Sequence, residues 1–159
     1  MQLTLQEIFL RLTVATVLCG IIGIEREVHH KPAGVRTNAL IGLGAAMMTI
    51  AGLSVALSTT GGTPDRIASI VVQGIGFLGA GAIIQASGAV HGLTTAATMW
   101  VVAGIGIAVG FGLYSMAIIG TLFVLILLAI FGPLDARLMG DENNRLPHKN
   151  ALKDDHSPR

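Results

Sequence analysis

The sequence predicts an all-α, polytopic membrane protein with five transmembrane helices. Of its 159 residues, 52% are apolar and 12% are Asp, Glu, Lys or Arg, whereas about 25% of the residues in a typical soluble domain are charged. The 68 residues from Ile67 to Leu134 carry no formal charge, and neither do the 27 residues from Asn38 to Pro64. These two runs exclude a soluble domain. The single cysteine, Cys19, excludes a disulfide scaffold.

The spans follow from the length of each apolar run, because a helix needs about 20 residues to cross the hydrocarbon core. Gly and Pro in the turn-rich stretch 58–65 close the second span, and the glycines of 110–112 divide the last run into two helices. Glu7 and Arg11 lie inside the first span, which argues against a cleaved signal peptide. The five predicted helices are Leu5–Ile24, Asn38–Leu57, Ile67–Ala86, Leu93–Val109 and Leu113–Phe131.

The positions of the basic residues predict the orientation, since cytoplasmic loops carry an excess of Lys and Arg. We expect the N-terminus outside and the C-terminus in the cytoplasm. Residues 1–131 form the expected membrane domain, and 132–159 the expected disordered cytoplasmic tail, with a short helix around Leu134–Met139. The cytoplasmic side would hold Arg26, Lys31, Arg36, Arg137, Arg145, Lys149, Lys153 and Arg159, and the opposite side Arg66 and Arg11.

Glycines are frequent in the third and fourth spans. The third contains G-x-G-x-x-G, but a dinucleotide site would need this motif between a strand and a helix, and here it lies within an apolar run. Small residues let transmembrane helices approach closely, and small residues on two faces predict that the third helix is central in the bundle. The predicted packing glycines are Gly74, Gly76, Gly79, Gly81, Gly106 and Gly110.

The densest polar cluster extends from Glu25 to Asn38. It is either an ordinary solvated loop or a site in which Glu25, Arg26 and Arg36 fold under the bundle to meet the start of the fourth helix. There, the hydroxyls of Thr94, Thr95 and Thr98 either cap the helix or bond its carbonyls, or they line a polar cavity. No cofactor is expected. Mg²⁺ remains open but unsupported by ligand spacing, because Glu25 and Glu27 would point about 200° apart on a helix, and His29-His30 has no third ligand nearby.

A second charged cluster is predicted at the outer end, where it would stabilise the fold. Its expected ion pairs involve Glu7, Arg11, Asp65 and Arg66, and the i,i+4 pair Glu7–Arg11 lowers the cost of placing either charge in lipid.

Nothing in the sequence resembles a catalytic triad, a P-loop or a zinc-protease motif, so we do not expect an enzyme. The expected surroundings are membrane lipid and a membrane-protein partner or further copies of the chain, with no nucleic acid.

Several ordered blocks resemble the MgtC/SapB family of bacterial inner-membrane proteins. They are Ile21–Glu27, Lys31–Thr37, Leu43–Ala45, Gly74–Gly81 and Gly92–Trp100, and the resemblance covers residues 5 to about 125. It implies a five-helix membrane domain that is often followed by a soluble ACT-like domain. Only 28 residues follow the predicted fifth helix here, which implies a short member without that domain. The motif site implied at the cytoplasmic side comprises Glu25, Arg26, Glu27, Arg36, Thr37, Asn38, Thr94, Thr95, Thr98 and Trp100.

The resemblance also implies a function. Better-known members are regulators that support growth at low Mg²⁺ and survival of pathogens inside host cells, and they are linked to restraint of the F-type ATP synthase. The leading hypothesis is therefore a regulator of adaptation to low Mg²⁺ and of ATP and phosphate homeostasis. The alternatives are a transporter or channel for Mg²⁺ or another small solute, and an oligomeric membrane scaffold.

Overall fold

The computed structural model describes residues 3–58, 65–86 and 89–143, and the all-α prediction is confirmed there. Five helices are present in these ranges, joined at one point by a short antiparallel hairpin. Four of the helices are long and apolar enough to cross a membrane, whereas the apolar stretch of the third is shorter, Ala68–Ala82. The elements are α1 Leu5–Val28, α2 Val35–Ser58, α3 Asp65–Ala82, β1 Ile84–Ala86, β2 Ala89–His91, α4 Leu93–Gly110 and α5 Tyr114–Asn143.

The predicted division of the last apolar run at residues 110–112 agrees with the structure. Helix α4 ends at Gly110, and Gly112 adopts φ +81°, a left-handed conformation that glycine takes without a steric penalty. The predicted turn between the second and third spans falls mostly at 59–64, outside the described residues.

The predicted end of the third helix at Ala86 is wrong. Helix α3 ends at Ala82, and β1 pairs with β2 so that Ile84 lies opposite His91. Gly92 follows with φ +89°, and a Cβ there would overlap the carbonyl of Ala82. Hydropathy misses this boundary because the apolar residues of the hairpin are indistinguishable from those of a continuing helix.

The fifth helix also differs from the prediction. It continues from Tyr114 to Asn143 rather than ending at Phe131, since Leu134 to Met139 are mostly strong helix formers. Residues 144–159 of the expected tail lie outside the described residues. The chain divides into two compact units, Met1–Leu125 and Ile126–Arg159. The first contains α1 to α4 and the start of α5, and the described part of the second is the rest of α5.

The core of the first unit is the contact between α1, α2 and α4. A Cβ added to Gly106 of α4 would lie 2.5 Å from the carbonyl oxygen of Gly42 and 2.9 Å from the Cβ of Ala45. A Cβ added to Gly42 would overlap Cys19 of α1, whose Sγ lies 3.6 Å from the carbonyl oxygen of Val102 of α4. Three helix backbones therefore meet at one level, which only small residues allow.

The same contacts fix the relative directions of the helices. Further along both helices, a Cβ added to Gly110 of α4 would lie 2.6 Å from Thr49 of α2, so α2 and α4 run parallel. Helix α1 runs against them, because its residue Arg11 contacts Gly110. The end of α1, the start of α2 and the start of α4 therefore lie at the same end of the bundle, which we call the loop end.

The prediction that the third helix is central is wrong, because α4 holds that position. Helix α4 packs against α1, α2 and α3, and most of its length is buried. Helix α3 contacts α4 chiefly along one buried face, Val71, Ile75 and Gly79, where Gly79 approaches Ala96. Among the predicted packing glycines, Gly74, Gly76 and Gly81 have no atom of the described chain within 4 Å of an added Cβ. Small residues permit close packing, but they do not specify that a neighbour is present.

Candidate functional site

Four buried polar side chains gather at the loop end of the bundle. Arg26 comes from the end of α1, Asn38 from the first turns of α2, and Thr95 and Thr98 from the start of α4. Asn38 is fully buried and Arg26 is 5% exposed. We call these residues the loop-end cluster. Burying a guanidinium and an amide costs free energy unless these groups are hydrogen-bonded. The polar atoms of the cluster that have no hydrogen-bond partner are therefore the ones available to a ligand.

The carboxylate of Glu25 extends the loop-end cluster toward the surface. Its Oε1 lies 3.1 Å from Nδ1 of His29, and its Oε2 lies 3.8 Å from Nη1 of the Arg26 guanidinium. Within the described residues, Glu25 Oε2, Arg26 Nε and Asn38 Oδ1 are buried and have no hydrogen-bond partner. The site thus presents two acceptor oxygens and one donor that make no hydrogen bond, and one of these oxygens, Glu25 Oε2, also faces the Arg26 guanidinium.

Glu27 and Asn38 fix the short connection between α1 and α2. Glu27 Oε2 accepts a hydrogen bond from the backbone N–H of Val35 at 3.0 Å, which caps the start of α2. The Asn38 side-chain amide donates to the carbonyl oxygens of Gly34, at 3.0 Å, and of Ala33. A Cβ at Gly34 would lie 2.6 Å from Glu27 Oε2, so this glycine leaves space for the carboxylate. The α1–α2 connection is therefore held in a defined conformation by hydrogen bonds from side chains of both helices.

The remaining residues of the predicted cytoplasmic motif site face outward. The side chain of Arg36 is exposed and makes no ion pair or hydrogen bond with the described residues, which is the solvated-loop alternative for this residue. Thr98 donates to the carbonyl oxygen of Thr94 at 2.8 Å, which is the back-bonding alternative. The other exposed members of the predicted site are Glu27, Thr37, Thr94 and Trp100.

Arg11 lies at the opposite end of the bundle, where the ion-pair cluster expected with Glu7, Asp65 and Arg66 stays a prediction, because the side chain of Asp65 is outside the described part of the structure. Arg11 Nη1 donates to the carbonyl oxygen of Gly110 at 2.7 Å, at the end of α4. The last carbonyls of a helix have no partner within it and carry partial negative charge, so a guanidinium stabilises them. Glu7 forms a capping box with Thr4, which the Thr-x-x-Glu spacing at the start of α1 could have revealed. Arg66 is exposed, and the side chain of Asp65 lies outside the described part of the structure.

Among the side chains that the structure describes, no group of three or more His, Cys, Asp or Glu could hold a metal ion. His29 is paired with Glu25 and lies at the surface. The acceptor oxygens that are present, Glu25 Oε2 and Asn38 Oδ1, suit a hydrated hard cation better than a transition metal.

These features define the class of protein. It is a multi-pass α-helical membrane protein whose core helices pack closely at glycines and which has a buried polar cluster at one end. The chain belongs to the MgtC family, whose family model matches residues 12–137.

Named relatives agree with this assignment. The chain is 44% identical over 138 residues to "Putative magnesium transporter YhiD" of Escherichia coli strain K12, an alignment that covers 84% of this chain and 64% of the relative. It is 42% identical over 120 residues to "Protein MgtC" of Brucella abortus, covering 76% of this chain and 49% of that protein. "Protein MgtC" of Salmonella typhimurium is 43% identical over 116 residues, covering 73% and 48%.

The chain therefore spans about half to two thirds of the length of these relatives. No solved structure matches it. The family and the helical architecture place it among the multi-pass proteins of the bacterial inner membrane.

Proposed function

We propose that this chain is a regulatory protein of the bacterial inner membrane that supports adaptation to low Mg²⁺ and ATP and phosphate homeostasis. It acts through contacts with a membrane-protein partner. The F-type ATP synthase is the partner that the family resemblance suggests, and survival during infection is the corresponding phenotype. Two relatives named MgtC, from Brucella abortus and Salmonella typhimurium, support this proposal by their identities of 42% and 43%.

The observation that carries the proposal is the close packing of α1, α2 and α4. Gly42 and Gly106 bring α2 and α4 into backbone contact at the middle of the bundle. The buried hydroxyls of Thr49, Thr98 and Thr121 each donate at 2.8 Å to a carbonyl oxygen four residues earlier in their own helix. This packing supports a regulator better than a channel.

A transporter of Mg²⁺ or another small solute is the second candidate, and two observations favour it. One relative, from Escherichia coli, carries the name "Putative magnesium transporter YhiD". The oxygens Glu25 Oε2 and Asn38 Oδ1 make no hydrogen bond, and oxygens of this kind are ligands that a hydrated Mg²⁺ could use. A transport pathway lined by Gln73, Gln85 and Thr98 has less support. Gln73 is exposed on α3, whereas Thr98 is buried in the loop-end cluster. The side chain of Gln85 lies outside the described part of the structure. An oligomeric scaffold is the third candidate.

The orientation is part of the proposal: the loop end faces the cytoplasm and the N-terminus faces outward. Lys31 and Arg36 are exposed at the loop end, in accord with the positive-inside rule. A Lys31→Cys variant in a Cys19→Ala background should react with a membrane-impermeant maleimide only in inside-out vesicles. Labelling in intact spheroplasts would contradict this orientation.

The function is tested by pairing a cellular assay with a transport assay. Deleting the gene should reduce growth at low Mg²⁺ and raise the cellular ATP concentration, and re-expression should restore both. Arg36→Ala should fail to restore them, whereas Lys31→Ala, which removes a neighbouring exposed cation, should succeed. Purified protein in proteoliposomes with an ionophore-controlled potential should give no more Mg²⁺ flux than empty liposomes. Robust flux that Arg36→Ala abolishes would overturn the regulatory proposal and favour the transporter.

A further inference from the structure

One face of α3 is left without a neighbour in the described structure. The buried face of this helix packs on α4. At 100° per residue, Gln73, Gly76 and Ala80 lie on the opposite face, flanked by Ile70 and Phe77. All five residues are exposed, and Phe77 is 81% exposed. We call this surface the outer face of α3.

Gln73 gives the outer face a specific chemistry. Its side chain lies within the apolar stretch Ala68–Ala82 and makes no hydrogen bond with the described residues. A primary amide carries two donor hydrogens and an acceptor oxygen, and hydrocarbon can satisfy none of them. In membrane proteins such amides hydrogen-bond across helix–helix contacts. The Gln73 amide is therefore without a partner among the described residues, and a hydrogen bond across a helix–helix contact would satisfy it.

We propose that the outer face of α3 is the contact surface of a homodimer, in which two α3 helices pack about a two-fold axis and the Gln73 amides bond each other. An amide is self-complementary, because a two-fold axis places the donor of each copy opposite the acceptor of the other. Gly76 and Ala80 are four residues apart and small, and an added Cβ at Gly76 meets nothing within 4 Å, so a second backbone can approach closely. The outer face carries no charge that would select an oppositely charged partner.

This proposal goes beyond the regulatory function and does not depend on it. Loss of the dimer is measured by self-association, whereas the regulatory function is measured by growth and ATP. The two can therefore fail separately.

Disulfide crosslinking between copies tests the geometry. Cys19 is the sole cysteine in the chain, so a Cys19→Ala background allows single-cysteine variants and serves as the blank. Gly76→Cys and Ala80→Cys should form disulfide-linked dimers in oxidised membranes at least fivefold more efficiently than Gly74→Cys and Gly81→Cys. The two control positions are equally open but lie about 80–100° away from Gln73 around the helix.

Substitution of Gln73 tests the hydrogen bond. Gln73→Leu should weaken self-association in liposomes, measured by energy transfer between labelled copies, by roughly three- to tenfold. Gln73→Asn keeps the amide and should stay within about twofold of the wild-type chain. Because this side chain is exposed and makes no hydrogen bond with the described residues, both variants should retain the wild-type Tm at a dilution in detergent where the chain is monomeric. That measurement excludes misfolding as the cause.

Three results would overturn the proposal. One is equal crosslinking at all four cysteine positions or none at any of them. Another is unchanged self-association of Gln73→Leu. The third is a crosslink from Gly76→Cys to a different protein in place of the homodimer.

Discussion

Replacing Gly106 by alanine tests the central contact of the bundle. The added methyl group would lie 2.5 Å from the carbonyl oxygen of Gly42 and 2.9 Å from the Cβ of Ala45, whereas ordinary contact begins at 3.4 Å. The closest atom belongs to the backbone of α2 and cannot rotate away. Helices α2 and α4 must therefore separate by about 1 Å, which forfeits a quarter to a half of each dispersion contact between them.

Gly104 provides a matched control for the magnitude. It lies on the same helix, and an added Cβ there meets nothing within 4 Å. Both variants gain the same helix propensity, about 1 kcal/mol for Gly→Ala, so this contribution cancels in the comparison. The difference that remains is the cost of overpacking, about 1–3 kcal/mol. At about 2–4 °C per kcal/mol for a chain of this size, Gly106→Ala should melt several degrees below Gly104→Ala.

The measurement is the Tm of both variants in the same detergent, followed by loss of the monodisperse peak in size-exclusion chromatography. Gly104→Ala should melt at or above the wild-type temperature. If Gly106→Ala matched Gly104→Ala, then α2 and α4 would not approach each other as closely as the structure places them.

Two further predictions concern polar side chains that donate to backbone carbonyl oxygens, and each has an exposed control. Arg11→Met removes the 2.7 Å bond to the carbonyl oxygen of Gly110 and should lower the free energy of unfolding by about 1.5–3 kcal/mol. Arg66→Met, at an exposed cation, should change the Tm little, and equal losses in the two variants would refute the capping role of Arg11. Asn38→Leu removes two hydrogen bonds to the α1–α2 connection and should cost about 1–3 kcal/mol. Thr37→Ala, at its exposed neighbour, should stay within about 0.5 kcal/mol of wild type in a denaturation assay, and a neutral Asn38→Leu would contradict the structural role of this amide.

The sequence predicted which residues belong to the polar regions at the two ends of the bundle. It did not predict which residues these side chains contact. The concentration of polar residues between Glu25 and Asn38 marked the loop-end region, but it could not separate the buried Arg26 from the exposed Arg36. That separation depends on which side of each helix faces α4. Thr4 and Glu7 had a readable local signal, because a capping box joins residues three apart. The bond from Arg11 to Gly110 had none, since it joins residues 99 positions apart.

The glycines also show that the sequence predicts the capacity for a contact but not the contact itself. Gly79 and Gly106 belong to similar apolar runs, and both contact another helix, at Ala96 and Gly42 respectively. Gly76 lies in the same motif as Gly79 but faces away from the described chain. A small side chain permits close approach on any face, so composition predicts the capacity for packing and not the partner.

The charge-free runs by themselves determined that this chain is a bundle of apolar helices, because hydropathy and the length of a bilayer-spanning helix are local properties of the sequence. Tertiary structure alone decided that α4 rather than α3 is central, that Arg11 caps α4 and that Gln73 faces outward. These outcomes depend on contacts between residues far apart in the chain. Such contacts are set by how the helices pack together, and the local pattern of residues does not encode that arrangement in readable form.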